Sequence, residues 1–125
     1  LDGMWRFRWA PSAREARLDA AGRSVEHPEF DDSAWGSIAV PSSFTMPVHD
    51  ATVGGPHGAP AYTNVKYPFP LDPPNPPDEN PIGDHRLRFT LDAAFLAAPA
   101  RAQLRFEGLE GAGDVWLNGT FVGST

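Results

Sequence analysis

Apolar and polar residues alternate through the first ten positions. Trp5, Phe7 and Trp9 fall on one side of an extended chain, and Arg6 and Arg8 fall on the other. Residues 1–10 are therefore expected to form a half-buried strand with an aromatic inner face and a basic outer face. The period of two returns twice in the C-terminal third. Leu87, Phe89 and Leu91 oppose Arg86, Arg88 and Thr90, and Ala102, Leu104 and Phe106 oppose Gln103, Arg105 and Glu107. This predicts strands over 86–91 and 102–107. Between 114 and 123, two apolar runs flank Asn118-Gly119. That dipeptide in that setting marks a type I′ hairpin, because both central residues take positive φ. Residues 37–40 read as a short strand ended by Pro41, and 61–69 as another bounded by prolines. Residues 30–35 read as a turn that pins Trp35, 92–98 as one short turn of helix, and 11–24 as loop or short helix.

Turn residues fill the space between these elements. The chain of 125 residues holds 14 prolines and 12 glycines, which favours many turns over long helices. Residues 45–60 carry Gly54, Gly55 and Gly58 with Pro47, Pro56 and Pro60, and form a long loop. Seven prolines crowd 68–81, so that stretch is extended loop without ladder donors at those positions. Short strands separated by turn signals describe an all-β antiparallel sandwich or jelly roll of one domain. On such a scaffold the sheet supplies stability, and the loops are where function is to be sought.

Composition narrows the chemistry. A formal net charge of −6 gives no basic footprint for nucleic acid. With no cysteine, there is neither a disulfide framework nor a thiolate. No run of 18 apolar residues is present, so no helix is expected to span a membrane. His27, His49, His57 and His85 never stand three or four residues apart, so no zinc motif is formed. His49 and His57 share a loop with Asp50 and read as solvated loop histidines rather than metal ligands. Glycosidases need two carboxylates, and Asp31 with Asp32, Asp78 with Glu79, and Asp84 are the candidates. Asp31 and Asp32 read better as a turn or cap, and Asp78 and Glu79 as loop acids. No catalytic residue and no metal ligand is assigned. Asn118-Gly119-Thr120 also matches a glycosylation sequon, but the hairpin already accounts for Asn-Gly. Tyr62, Asn64, Tyr67 and Trp116 could form a sugar platform, since aromatic faces stack on sugars and an amide both donates and accepts. The same aromatics serve equally well as packing residues.

Several stretches taken together resemble the N-terminal sugar-binding domain of family 2 glycoside hydrolases of the LacZ β-galactosidase type. They are Leu1-Asp-Gly-Met-Trp-Arg-Phe7, Val40-Pro-Ser-Ser-Phe44, Tyr62-Thr-Asn-Val-Lys-Tyr-Pro68, Pro77-Asp-Glu-Asn-Pro-Ile-Gly83, Phe106-Glu-Gly108 and Val115-Trp-Leu-Asn-Gly-Thr-Phe-Val-Gly123. They occur in the family's order and cover nearly the whole chain. The Tyr-Thr-Asn-Val-x-Tyr-Pro segment with its proline-rich sequel and Glu-Asn-Pro is the specific part. The 45–60 loop and Phe44, where the family usually has Trp, depart from the pattern.

The resemblance implies a galactose-binding-domain-like jelly-roll β-sandwich over 1–125, truncated at both ends. It would be the non-catalytic first domain of an enzyme that hydrolyses terminal β-D-galactosides with retention of configuration. The two catalytic glutamates would lie in a TIM barrel outside this chain, which the domain buttresses, so this chain alone is expected to be inactive. The resemblance places Asn64, with Val65 beside it, against the galactose hydroxyls. It implies Mg²⁺ and Na⁺ in the full-length enzyme, no cofactor in this chain, and a cytoplasmic location. Exposed strand edges are expected either to let the fragment pair with a second copy by strand addition or exchange, or to leave it only marginally stable. A stand-alone carbohydrate-binding module or lectin, and a purely structural interaction domain, are the alternative readings.

Overall fold

The computed structural model describes residues 1–13, 15, 17–45, 57, 64, 71–75, 77–78, 80–97, 102–109 and 111–125. Five strands and one short helix follow in chain order. They are β1 (Gly3–Ala10), β2 (Gly36–Val40), β3 (Ile82–Arg86), α1 (Ala93–Ala97), β4 (Asp114–Leu117) and β5 (Thr120–Ser124). β1 lies between β2 and β3, antiparallel to both. β4 and β5 pair as an antiparallel hairpin. The all-β expectation holds.

Register sorts the sheet into two faces. Trp5 opposes Ile38, Phe7 opposes Gly36 and His85, and Trp9 opposes Gly83. Arg6 opposes Ser37 and Arg86, and Arg8 opposes Asp84. On the aromatic face Phe7 and Ile38 are almost fully buried. Burying a side chain of that size contributes about 2 kcal/mol.

Arg6 and Arg8 do not form the outward basic face that their alternation predicts. Segment 17–35 lies against that face and turns it into an inner layer. Asp84 is 6% exposed, and Arg8 donates to its Oδ2 from Nη2 at 2.9 Å while Arg17 reaches Oδ1. Asp32 is 7% exposed and accepts from Arg86 at 3.2 Å and from Arg88 at 2.8 Å. The remaining guanidinium donors go to backbone carbonyls. Arg6 takes those of Asp32 and Ser33, Arg86 those of Val25, His27 and Pro28, and Arg88 that of Phe30. Arg86 stacks over Phe30 at 5.4 Å and Arg8 over Trp35 at 5.3 Å. Alternation reports that a strand has two faces. It does not report that long arginine stems can be buried while their heads find acceptors in a covering loop.

The covering segment is shaped by its own side chains. Asp19 accepts from the backbone N–H groups of Ala21, Arg23 and Asp31 and from the Arg23 side chain. Asp31 closes an Asx turn on Ser33, and the Asp32 carbonyl accepts from Trp35 N–H. Trp35 rests on Phe30 with ring centroids 5.4 Å apart. The turn expected to pin Trp35 is therefore present, with Asp31 and Asp32 in turn and ion-pair roles.

Asn118 and Gly119 both have positive φ, 51° and 79°, as the type I′ turn requires. A Cβ on Gly119 would sit 2.9 Å from Pro28 Cδ, so the hairpin tip abuts the covering segment. Asp92 caps α1, its Oδ1 accepting from Phe95 N–H at 2.6 Å.

Two expected strands are not formed. β3 covers 82–86 rather than 86–91, and 102–107 is not extended into a ladder. Alternation supplies a sided chain, but a strand also needs an edge to pair with. The apolar side of these stretches remains exposed at Phe89, Leu91, Leu104 and Phe106. The strand expected over 61–69 lies outside the described residues except for Asn64.

Replacing Asp84 by Ala strands Arg8 and Arg17 and is expected to cost about 3 kcal/mol, and replacing Asp32 by Ala strands Arg86 while leaving the exposed Arg88 in water, and is expected to cost less. Glu29→Ala removes a carboxylate that is 78% exposed and 3.6 Å from Arg23, and is expected to change stability by less than about 0.5 kcal/mol. Urea titration of the three variants checks the contrast. Gly119→Ala meets both the left-handed backbone and Pro28, and a loss of about 1–2 kcal/mol is expected in the same assay.

Stability is also expected to fall on acidification. Burial among aromatic rings pushes the His85 imidazole below its ordinary value, so the unfolded chain takes up that proton first and stability drops as pH falls below about 6.5. Packing around Asp19 opposes its charge, but the hydrogen bonds from Asp31, Arg23 and Ala21 outweigh this and hold it well below the usual range. Ser33 does the same for Asp31. Their contribution is present above about pH 4 and is lost as pH falls through their folded values. Two successive losses of stability between pH 7 and 2, the upper one absent in His85→Phe, are the expected result by thermal melting.

Candidate functional site

The aromatic face of β1 gathers residues distant in sequence. Phe7 is touched by Phe44 at 5.9 Å between centroids, by His57 at 5.1 Å edge to face, and by His85 at 4.9 Å. His57 also lies 6.0 Å from Trp9. Phe44 stands four residues beyond the end of β2, and Ser43 and Thr45 on either side of it share a hydroxyl hydrogen bond of 3.0 Å. Gly83 on β3 gives these rings room. A Cβ there would come within 2.9 Å of the Phe7 ring and 3.2 Å of Phe44 and His85.

Beside this cluster is a cleft of about 280 Å³, lined by Phe7, Trp9, Trp35, Gly36 and His57 among others. Trp9 Nε1 is buried with no hydrogen-bond partner among the described residues. An indole donor left in that state typically costs about 1–3 kcal/mol.

Asn64 occupies a bend and is exposed. An exposed amide on a bend can donate to one hydroxyl and accept from another. Val65, Tyr62 and Tyr67 lie outside the described residues, as do His49 and Asp50. Trp116 packs on Phe121 across the hairpin, 5.6 Å between centroids, so its structural role is cross-strand packing.

His57 departs from its reading as a solvated loop histidine. It is half-buried and stacked on β1. The signal available in the sequence is indirect. An aromatic strand face as rich as Trp5-Phe7-Trp9 needs planar partners, and the loop offers few besides its histidines. Of the carboxylates weighed as an acid/base pair, Glu79 lies outside the described residues. Asp31, Asp32 and Asp84 hold turns or arginines, and Asp78 is exposed. Among the described residues, no group of three or more His, Cys, Asp or Glu is placed to hold a metal ion. What the described residues offer is planar apolar surface on β1 and an exposed asparagine on a bend.

The family model described as glycosyl hydrolases family 2, sugar binding domain, matches residues 1–125. A β-galactosidase of Arthrobacter sp. (strain B7) is 43% identical over 131 residues, covering 98% of this chain and 12% of that protein. A β-galactosidase of Vibrio cholerae is 40% identical over 123 residues, covering 98% of this chain and 10% of its own length. One from Psychromonas ingrahamii is 38% identical with the same coverage. The chain thus spans about a tenth of the length of the curated relatives it matches. It belongs to the sugar-binding domain family of the family 2 glycosyl hydrolases.

Proposed function

We propose that this chain serves as the N-terminal domain of a β-galactosidase that hydrolyses terminal β-D-galactosides with retention. The observation that carries this reading is its match, over 98% of its length, to β-galactosidases at 43% and 40% identity. In this reading the bond-breaking glutamates lie elsewhere in the polypeptide, and this chain alone does not hydrolyse glycosides. Its contribution is Asn64, whose amide would hydrogen-bond galactose hydroxyls, with Val65 beside it. Such a contact fixes the sugar ring for attack without taking part in proton transfer. A cytoplasmic location goes with the same reading.

Mg²⁺ and Na⁺ belong to the wider reading. The described residues do not fit either ion. Asp32 and Asp84 are each saturated by two guanidinium groups, which leaves neither carboxylate open to a cation.

The exposed apolar side chains Phe89, Phe95, Leu96, Phe106, Phe121 and Val122 support a buttressing role against further protein. In the isolated chain we propose that they and the edges of the sheets promote pairing with a second copy. Sedimentation of the isolated chain is expected to show a mass that rises with concentration. A strictly monomeric species across the micromolar range would contradict this.

In the full-length polypeptide, Asn64→Ala is expected to raise KM for a β-galactoside about tenfold, the loss of one to two neutral hydrogen bonds. An unchanged KM rejects the subsite role. A galactose titration of the isolated chain, followed by amide NMR, separates this reading from a stand-alone binding module. Unmoved resonances are expected, and saturable shifts around Asn64 would favour the module.

A further inference from the structure

The hairpin accounts for the backbone of Asn118-Gly119 but not for the chemistry of its side chain. We propose that Asn118 is a spontaneous deamidation site, its amide displaced by the backbone nitrogen of Gly119, with isoaspartate as the main product.

The residue that follows each asparagine decides whether this chemistry is open to it. The side-chain amide is lost readily only when the next backbone nitrogen can attack Cγ. Asn75 and Asn80 each precede a proline, whose nitrogen carries no proton to give up. Asn64 precedes Val65, whose branched side chain crowds the approach. Asn118 precedes a glycine, so no side chain stands beside the attacking nitrogen.

The fold leaves the pair open to water. Asn118 and Gly119 are both exposed. Leu117 pairs with Thr120, so the two residues between them lie beyond the last rung of the ladder. The hydrogen bond of such a turn joins its first and fourth residues, which leaves the N–H of the third, Gly119, outside the pairing.

The step needs only water. Gly119 N gives its proton to solvent and bonds to Asn118 Cγ. The bond from Cγ to Nδ2 breaks, and ammonia departs with a proton taken from solvent. The cyclic imide then adds one water. Opening at Cγ yields aspartate on an unchanged backbone. Opening at the main-chain carbonyl yields isoaspartate, which routes the backbone through Cγ and lengthens it by one carbon.

The hairpin tip has little room for that carbon. A Cβ on Gly119 would come within 2.9 Å of Pro28 Cδ and 3.6 Å of the Glu26 carbonyl oxygen, so the tip is seated on the covering segment. Loop length also sets hairpin register. Isoaspartate therefore loosens both the β4–β5 pairing and its seat on Pro28.

The test ages the full-length polypeptide in mildly alkaline buffer, folded and in urea, and maps its peptides by mass spectrometry. The peptide holding Asn118 is expected to turn from amide to acid, with isoaspartate in excess of aspartate. The folded rate is expected within about tenfold of the rate in urea, because a hairpin tip opens at low cost. A folded rate below that overturns the proposal. Aspartate without isoaspartate also overturns it, since that product comes from direct attack by water. Asn118→Gln lengthens the side chain and is expected to stop conversion at this position; undiminished conversion there counts against attack by Gly119. Hydrogen exchange across β4 and β5 is expected to quicken at least about threefold in the aged polypeptide and to stay unchanged in Asn118→Asp, which adds the charge without the carbon. Equal exchange in aged and fresh polypeptide overturns the loosening.

Discussion

A carboxylate taken out of water must recover from its neighbours most of the solvation it has lost. Asp32 and Asp84 recover it from arginines projected by the sheet, and the rest of the described structure follows from that exchange. Asp84 sits on β3 opposite Arg8, so this pair staples two strands at one register position. Arg17 arrives at the same carboxylate from the covering segment. Asp32 works in the reverse direction, offering an acceptor from the segment to Arg86 and Arg88 on and just beyond β3. The guanidinium groups outnumber the carboxylates, and the surplus donors are absorbed by the carbonyls of residues 25–33. A loop without regular structure thus has its backbone acceptors satisfied in bulk, as a covered loop requires.

That arrangement leaves the other face of β1 free for aromatic packing. The division is one of chemistry as well as geometry. Directional, charge-assisted bonds fix the segment on one side, and planar rings with looser angular demands collect distant parts of the chain on the other. The aromatic face therefore draws distant parts of the chain together through planar contacts, while the formal charges in ion pairs lie on the other face.

Some of this is legible in the sequence, and the rest is hidden for physical reasons. The Asn118-Gly119 turn, the Asp31–Trp35 turn and the Asp92 cap depend on residues within a few positions, and local chemistry determines them. Strand β1 is evident from its alternation, yet alternation cannot say that both its faces are covered. Asp84 looks like a candidate acid in the sequence, because its partner Arg8 is 76 residues away. The strand signals over 86–91 and 102–107 describe faces correctly but not partners, since pairing is a property of two segments. Asn64 is recognisable through a motif that resembles a family pattern, whereas the contact that defines His57 lies fifty residues upstream and leaves no local mark.

The inward arginines also alter what the surface presents to an approaching molecule. Among the described residues, Arg6, Arg8, Arg17 and Arg86 are turned into the layer that holds Asp32 and Asp84. The rest of the chain is therefore two charges more acidic than its formal net of −6. Such a skin repels anions at long range and leaves uncharged molecules untouched. Solutes carrying carboxylate, sulfate or phosphate groups meet a repulsion at this chain that neutral ones do not, so a layer that closes a fold also shapes the field around it.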